Sequence, residues 1–99
     1  MLHHIVLFRF NSKADEERIA ALTEAFAALR RQVPGVLSLR HGPDVSPEGL
    51  QKGFTHAWLL TFADAADRDA YLVHPAHQAF VLQVKPFVDD VLVVDFTSD

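Results

Sequence analysis

The chain contains no cysteine, which removes disulfide bridging, thiol catalysis and cysteine-based zinc sites together. Positive charge is also scarce. Nine Lys and Arg against thirteen Asp and Glu leave a formal charge of −4, and the nine are spread thinly from Arg9 to Lys85 with no basic stripe. A nucleic-acid partner needs a cationic footprint, so none is expected. The four glycines are scattered and form no phosphate cradle. No apolar run approaches membrane-spanning length, and the first ten residues have an apolar core of only Ile5 to Phe8 with no cleavage site. These absences predict a cytoplasmic chain with no membrane partner.

Hydrophobic residues, by contrast, make up 49% of only 99 residues. A single small domain over residues 1–99 has a thin core, so this much apolar surface points to a subunit interface.

Residues 3–10, His-His-Ile-Val-Leu-Phe-Arg-Phe, read as a first strand, rich in β-branched and aromatic residues. A helix is predicted to follow, with Ser12 and Asp15 as a capping box and Ile19, Leu22, Phe26, Leu29 and Val33 at helical spacing. Pro34-Gly35 ends it. Val36 to His41 read as a second strand and residues 54–62 as a third, separated by a loop rich in Gly, Pro and Ser. Asp64 to Leu72 and Pro75 to Val84 read as two successive helical pieces, and Val91 to Phe96 as a last strand. The order β-α-β-β-α-β predicts an α+β, ferredoxin-like fold, with a four-stranded antiparallel sheet and its helices on one face.

The strands carry a second message. An antiparallel sheet with one open face alternates apolar and polar residues, but here Ile5 and Leu7 oppose Val6, Phe8 and Phe10, so both sides are apolar. The last strand repeats this. One helical layer covers one face, and the simplest cover for the other is a second copy, giving a homodimer whose sheets pack into a barrel. Val6 is assigned to that sheet-to-sheet interior.

Chemistry concentrates in Tyr71-Leu72-Val73-His74-Pro75-Ala76-His77. Proline is favoured at the first helical position, which makes His74 the cap and puts His77 in the first turn, where the helix N-terminus and apolar surroundings oppose its protonation. A neutral His77 is a candidate base and Tyr71 its partner. His4 shares a strand face with Val6 and Phe8, and His56 shares one with Trp58. If these sets face one interior, His4, His56, Trp58 and Phe80 become candidate substrate-binding residues in an apolar cavity. Alternatively, each ring satisfies a hydrogen bond at the end of its element and does nothing more. No metal site and no cofactor are expected: His3 and His4 point to opposite faces, and the cap separates His74 from His77.

Four segments together resemble the stress-responsive A/B barrel (Dabb) family: His4 to Phe10, Ser46 to Leu50 through Gly53 to His56, Tyr71 to His77, and Val91 to Phe96. The resemblance runs essentially end to end and implies a dimeric α+β barrel of ferredoxin-like halves. Some members are stress-induced stability proteins, and a plant branch contains aromatic-polyketide cyclases. In that branch residues matching Tyr71 and His77 perform the acid–base step, with histidines matching His4 and His56 nearby. The resemblance therefore implies a small, partly hydrophobic or polyketide-like ligand or, alternatively, a cofactor-free lyase or cyclase. Trp58 departs from the cyclase pattern, because on the His56 face it would fill cavity volume.

Overall fold

The computed structural model describes residues 1–98. Strands β1 (Leu2–Phe10), β2 (Ser38–Pro43), β3 (His56–Phe62) and β4 (Val88–Thr97) form one antiparallel sheet in the order β2-β3-β1-β4. The helices are α1 (Glu16–Ala27), the short α2 (Leu29–Gln32), α3 (Ala65–Leu72) and α4 (Pro75–Val84), followed by a 3-10 turn at Lys85–Phe87. This is the ferredoxin-like order with each helical stretch broken in two. Several boundaries differ from the sequence reading: β2 runs on to Pro43, and β4 begins at Val88.

The first helix starts later than its sequence pattern implied. Its cap is Asp15, whose carboxylate accepts from the Arg18 N–H at 2.8 Å. Ser12 lies in a turn ahead of the helix, closed by the Ala14 N–H donating to the Asn11 carbonyl at 3.1 Å. A carboxylate at the cap, followed by Glu16 and Glu17, also suits the positive end of the helix dipole. Gly35, at φ +96°, makes the turn from α2 toward β2 that residues with a Cβ resist.

Alternation along β1 decides which face meets the helices. Leu2, His4, Val6 and Phe8 are buried, whereas His3, Ile5 and Leu7 are only half-buried. Register carries the same parity across the sheet, since Val6 pairs with Trp58 on β3 and with Val93 on β4. The helix side holds Trp58, Leu60 and Phe62, packed under Leu22, Phe26 and Leu29 and under Tyr71, Phe80 and Val84. Val6 thus belongs to the helix-covered core and not to the sheet's open face, where the sequence reading put it. Parity sorts residues into two sets but does not say which set the helices cover; the larger aromatic rings, Phe8, Trp58 and Phe62, follow the helices. The open face carries Ile5, Leu7, Leu59, Leu92, Val94 and Phe96.

The helical layer does not reach the whole sheet. Val91 and Val93 lie on the helix-facing side of the edge strand β4, yet they are 41% and 50% exposed. The space above them is the mouth of the cavity described next.

Candidate functional site

The cavity begins with a broken helix. Pro75 has no N–H and cannot continue α3, so α3 ends at Leu72 and α4 restarts at Pro75. His74 caps the restart: its Nδ1 accepts from the Ala76 N–H at 3.0 Å. In an unbroken helix that N–H would have bonded the Leu72 carbonyl four residues back. The carbonyl is instead left for His77, whose Nδ1–H donates to it at 3.1 Å. A carbonyl only accepts, so the proton of a neutral His77 sits on Nδ1 and the lone pair on Nε2. Burial is the main reason that the His77 imidazole is held below its ordinary pKa; the nearby His4 adds to this, and the bond to Leu72 opposes it.

Tyr71, in the last turn of α3, has no exposed surface. Its ring lies 4.4 Å from that of His77, 6.0 Å from that of His4 and 5.3 Å from that of Phe62, between centroids. Its hydroxyl has no hydrogen-bond partner among the described residues, and burial pushes its pKa well up, so it remains a phenol.

His4 completes the cluster from the sheet. It is buried on β1, and its register partner on β4 is Asp95. The His4 Nδ1–H donates to Asp95 Oδ1 at 2.7 Å, while Asp95 Oδ2 accepts from Arg68 Nη1 at 2.7 Å. Arg68 Nε donates in turn to Asp69 Oδ1 at 2.9 Å. Partial burial pushes the Asp95 carboxyl up, but the hydrogen bonds from Arg68 and His4 outweigh it and hold the group below the usual carboxylate range. Arg68 and Asp95 escaped the sequence reading. The one available signal was an acid inside the apolar run Val91 to Phe96, and only the register reveals that it faces His4.

These groups line a cavity of about 490 Å³, within the range usual for small-molecule sites, roughly 300–1,000 Å³. Its walls are apolar: Val6 and Phe8 from β1, Phe26 from α1, Phe80, Val81 and Val84 from α4, and Val91 and Val93 from β4. Among the described residues, neither His4 Nε2 nor His77 Nε2 has a hydrogen-bond partner in the protein.

Of the six residues singled out from sequence, His4, Tyr71, His77 and Phe80 line this cavity. His56 and Trp58 do not. His56 stands further along the sheet, where its Nδ1 is 2.8 Å from Thr55 Oγ1 and its ring meets Phe10 at 5.0 Å. Trp58 is clamped between Phe26 at 4.1 Å and His41 at 4.5 Å, so it takes no volume from the cavity. Among the described residues no group of three or more His, Cys, Asp or Glu is placed to hold a metal ion. Among the described residues no helix is long and apolar enough to cross a membrane.

Comparison with known proteins places this geometry. The model of the stress-responsive A/B barrel domain matches residues 2–98. The chain is 32% identical over 93 residues to the Arabidopsis thaliana stress-response A/B barrel domain-containing protein HS1, covering 94% of this chain and 85% of that one. It is 24% identical over 94 residues to olivetolic acid cyclase of Cannabis sativa, covering 95% and 93%. Among solved structures, the hydroxynitrile lyase of Passiflora edulis superposes with a TM-score of 0.91 at 25% identity, covering 99% and 93%. A dimeric ferredoxin-like protein of unknown function from Jannaschia sp. CCS1 superposes at 0.85 with 31% identity, covering 98% of each chain. With a family model spanning nearly every residue and the expected fold beneath it, this chain belongs to the stress-responsive A/B barrel domain family.

Proposed function

We propose that the cavity binds a small, largely apolar molecule and that His77 and Tyr71 act on it as an acid–base pair. One observation carries this reading: among the described residues, His4 Nε2, the Tyr71 hydroxyl and His77 Nε2 lack protein partners beside a cavity whose remaining lining is apolar apart from the mutually paired Arg68, Asp69 and Asp95. Of the three, the Tyr71 hydroxyl is fully buried, and buried polar groups are normally paired, so its lack of a partner beside the cavity fits a site whose partner is a ligand; Trp58 Nε1 is likewise buried and unpaired but lies outside the cavity. Neutral His77 takes a proton at Nε2 from a carbon next to a carbonyl, and the electron pair moves onto the carbonyl oxygen. Tyr71, still protonated, donates a hydrogen bond to that oxygen. The carbanion then closes onto a second carbonyl, and the imidazolium returns its proton to the new alkoxide. A cyclase and a lyase among the similar proteins support acid–base chemistry of this class.

The same reading includes a homodimer, supported by the apolar open face of the sheet and by similar proteins described as dimeric. Sedimentation should give a dimer at micromolar concentration. Val94→Lys, on the open face, should give a folded monomer, whereas Val6→Lys, at 5% exposure beneath the helices, should cost several kcal/mol of fold stability. A wild-type monomer would defeat the dimer, and a stable Val6→Lys protein would contradict the assignment of faces.

Activity is tested on a panel of 1,3-dicarbonyl and poly-β-keto compounds. Loss of one acid–base group lowers rates by about 10²–10⁴-fold, so His77→Ala and Tyr71→Phe should each abolish measurable turnover. Turnover that survives both changes would exclude the pair from the chemistry, and no turnover on any member would leave ligand binding as the function.

An NMR titration should place the His77 midpoint below the reference value of about 6.5. The unfolded chain then holds more protons than the native state just below that reference. Stability at this residue is therefore full above it and is lost as pH falls through the native midpoint. His77→Gln should flatten that slope. A midpoint at or above the reference would remove the neutral base.

A further inference from the structure

The chain of bonds from Arg68 through Asp95 to His4 does more than tie α3 to β4 and β1. Each link has a fixed direction. Arg68 only donates and a carboxylate only accepts, so the His4 proton is drawn to Nδ1, and the neutral ring turns an acceptor, Nε2, toward the cavity. His77 is set the same way by the Leu72 carbonyl. Two histidines on different elements thus present lone pairs, and Tyr71 alone of the three groups offers a proton. Arg68 spends its charge on two carboxylates, Asp95 and Asp69, which leaves the cavity no free cation among the described residues for an anionic ligand.

We propose that Arg68 is a positioning residue that acts through Asp95 to fix His4 as a hydrogen-bond acceptor, and that the cavity consequently selects a neutral, apolar ligand carrying a hydroxyl donor over its ether or its carboxylate. This rests on the reading of the cavity as a ligand site and adds to it the class of ligand. It also assigns work to two residues, Arg68 and Asp95, that the acid–base step does not use.

The test uses Asp95→Asn. The amide has one acceptor and one donor end, and Arg68 demands the acceptor. The amide nitrogen must then face His4, which has to accept at Nδ1 and move its proton to Nε2. One substitution at Asp95 therefore inverts the polarity of His4 inside the cavity.

Three matched probes read this out in the intact dimer at about pH 8, above the ordinary imidazole pKa of about 6.5: 2-naphthol, 2-methoxynaphthalene and 2-naphthoate. Wild type should bind the naphthol about three- to tenfold more tightly than its methyl ether, the effect of one hydrogen bond, and should bind the naphthoate weakest. Asp95→Asn should bring naphthol and ether to within about twofold. Adding Arg68→Met frees the amide to turn its oxygen toward His4, which should restore part of the preference; a purely structural role for Arg68 would not give that rescue. Imidazole ¹⁵N shifts supply a second measurement, with the His4 proton on Nδ1 in wild type and on Nε2 in Asp95→Asn, while His77 stays unchanged. A His4 proton on Nε2 in wild type, or one still on Nδ1 in Asp95→Asn, overturns the assignment; unequal binding that survives Asp95→Asn although the tautomer has switched places the selecting acceptor at His77 and overturns the role of His4 in selection. Equal binding of all three probes overturns the selectivity alone, and binding of none defeats the cavity reading together with it.

Discussion

The missing N–H of Pro75 is the constraint on which the site depends. Because proline cannot continue α3, the chain breaks and restarts, and the break redistributes three hydrogen bonds. His74 takes the Ala76 N–H, the Leu72 carbonyl loses its helical donor, and His77 supplies the replacement. The result is a histidine whose tautomer is set by backbone geometry and whose ring lies against Tyr71 across the break. An unbroken helix from Ala65 to Val84 would carry residues 71 and 77 six positions apart, on different faces, since neighbours along a helix face are three or four apart. The two rings meet because the helix stops.

The cavity itself follows from how far the helices extend over the sheet. Phe8, Phe26, Trp58 and Phe80 form a contiguous cluster of rings that anchors α1 and α4 to the middle of the sheet. Aromatic side chains bury large areas and pack at defined angles, so the cluster fixes the height of the helices above β1 and β3. Edge strand β4 lies beyond that anchorage. Its helix-facing valines therefore floor an open cavity, and Asp95, on the same side, meets His4 there. Fold and site share parts: the rings that hold the helices down also form the apolar wall.

Much of this was legible in the chain. Element order followed from periodicity, and the break at His74-Pro75 from the chemistry of proline. The pairing of Tyr71 with His77 followed from the break, and the placing of His4 with Val6 and Phe8 from the two-residue period of strands. What stayed hidden was relational. Parity could not say which face of the sheet the helices cover, so Val6 went to the wrong side. Nor could it say how far along a shared face two residues stand: His4 and His56 lie on the same side of the sheet, but His56 pairs with Phe8 while His4 pairs with Leu60. Trp58 looked like a plug for the cavity because its stacking partners, Phe26 and His41, come from distant segments. Asp95 had no visible role until its register with His4 was known.

A crystallographic fragment screen of the protein tests the central claim, an open cavity whose polar groups await a ligand, most directly. The account predicts neutral aromatic fragments clustering between α4 and β4, with an oxygen within hydrogen-bonding distance of His77 Nε2 and the Arg68–Asp95–His4 chain intact. A cavity closed by Leu72 and Val81, with the Tyr71 hydroxyl bonded to a protein group and no fragment near it, would contradict the account.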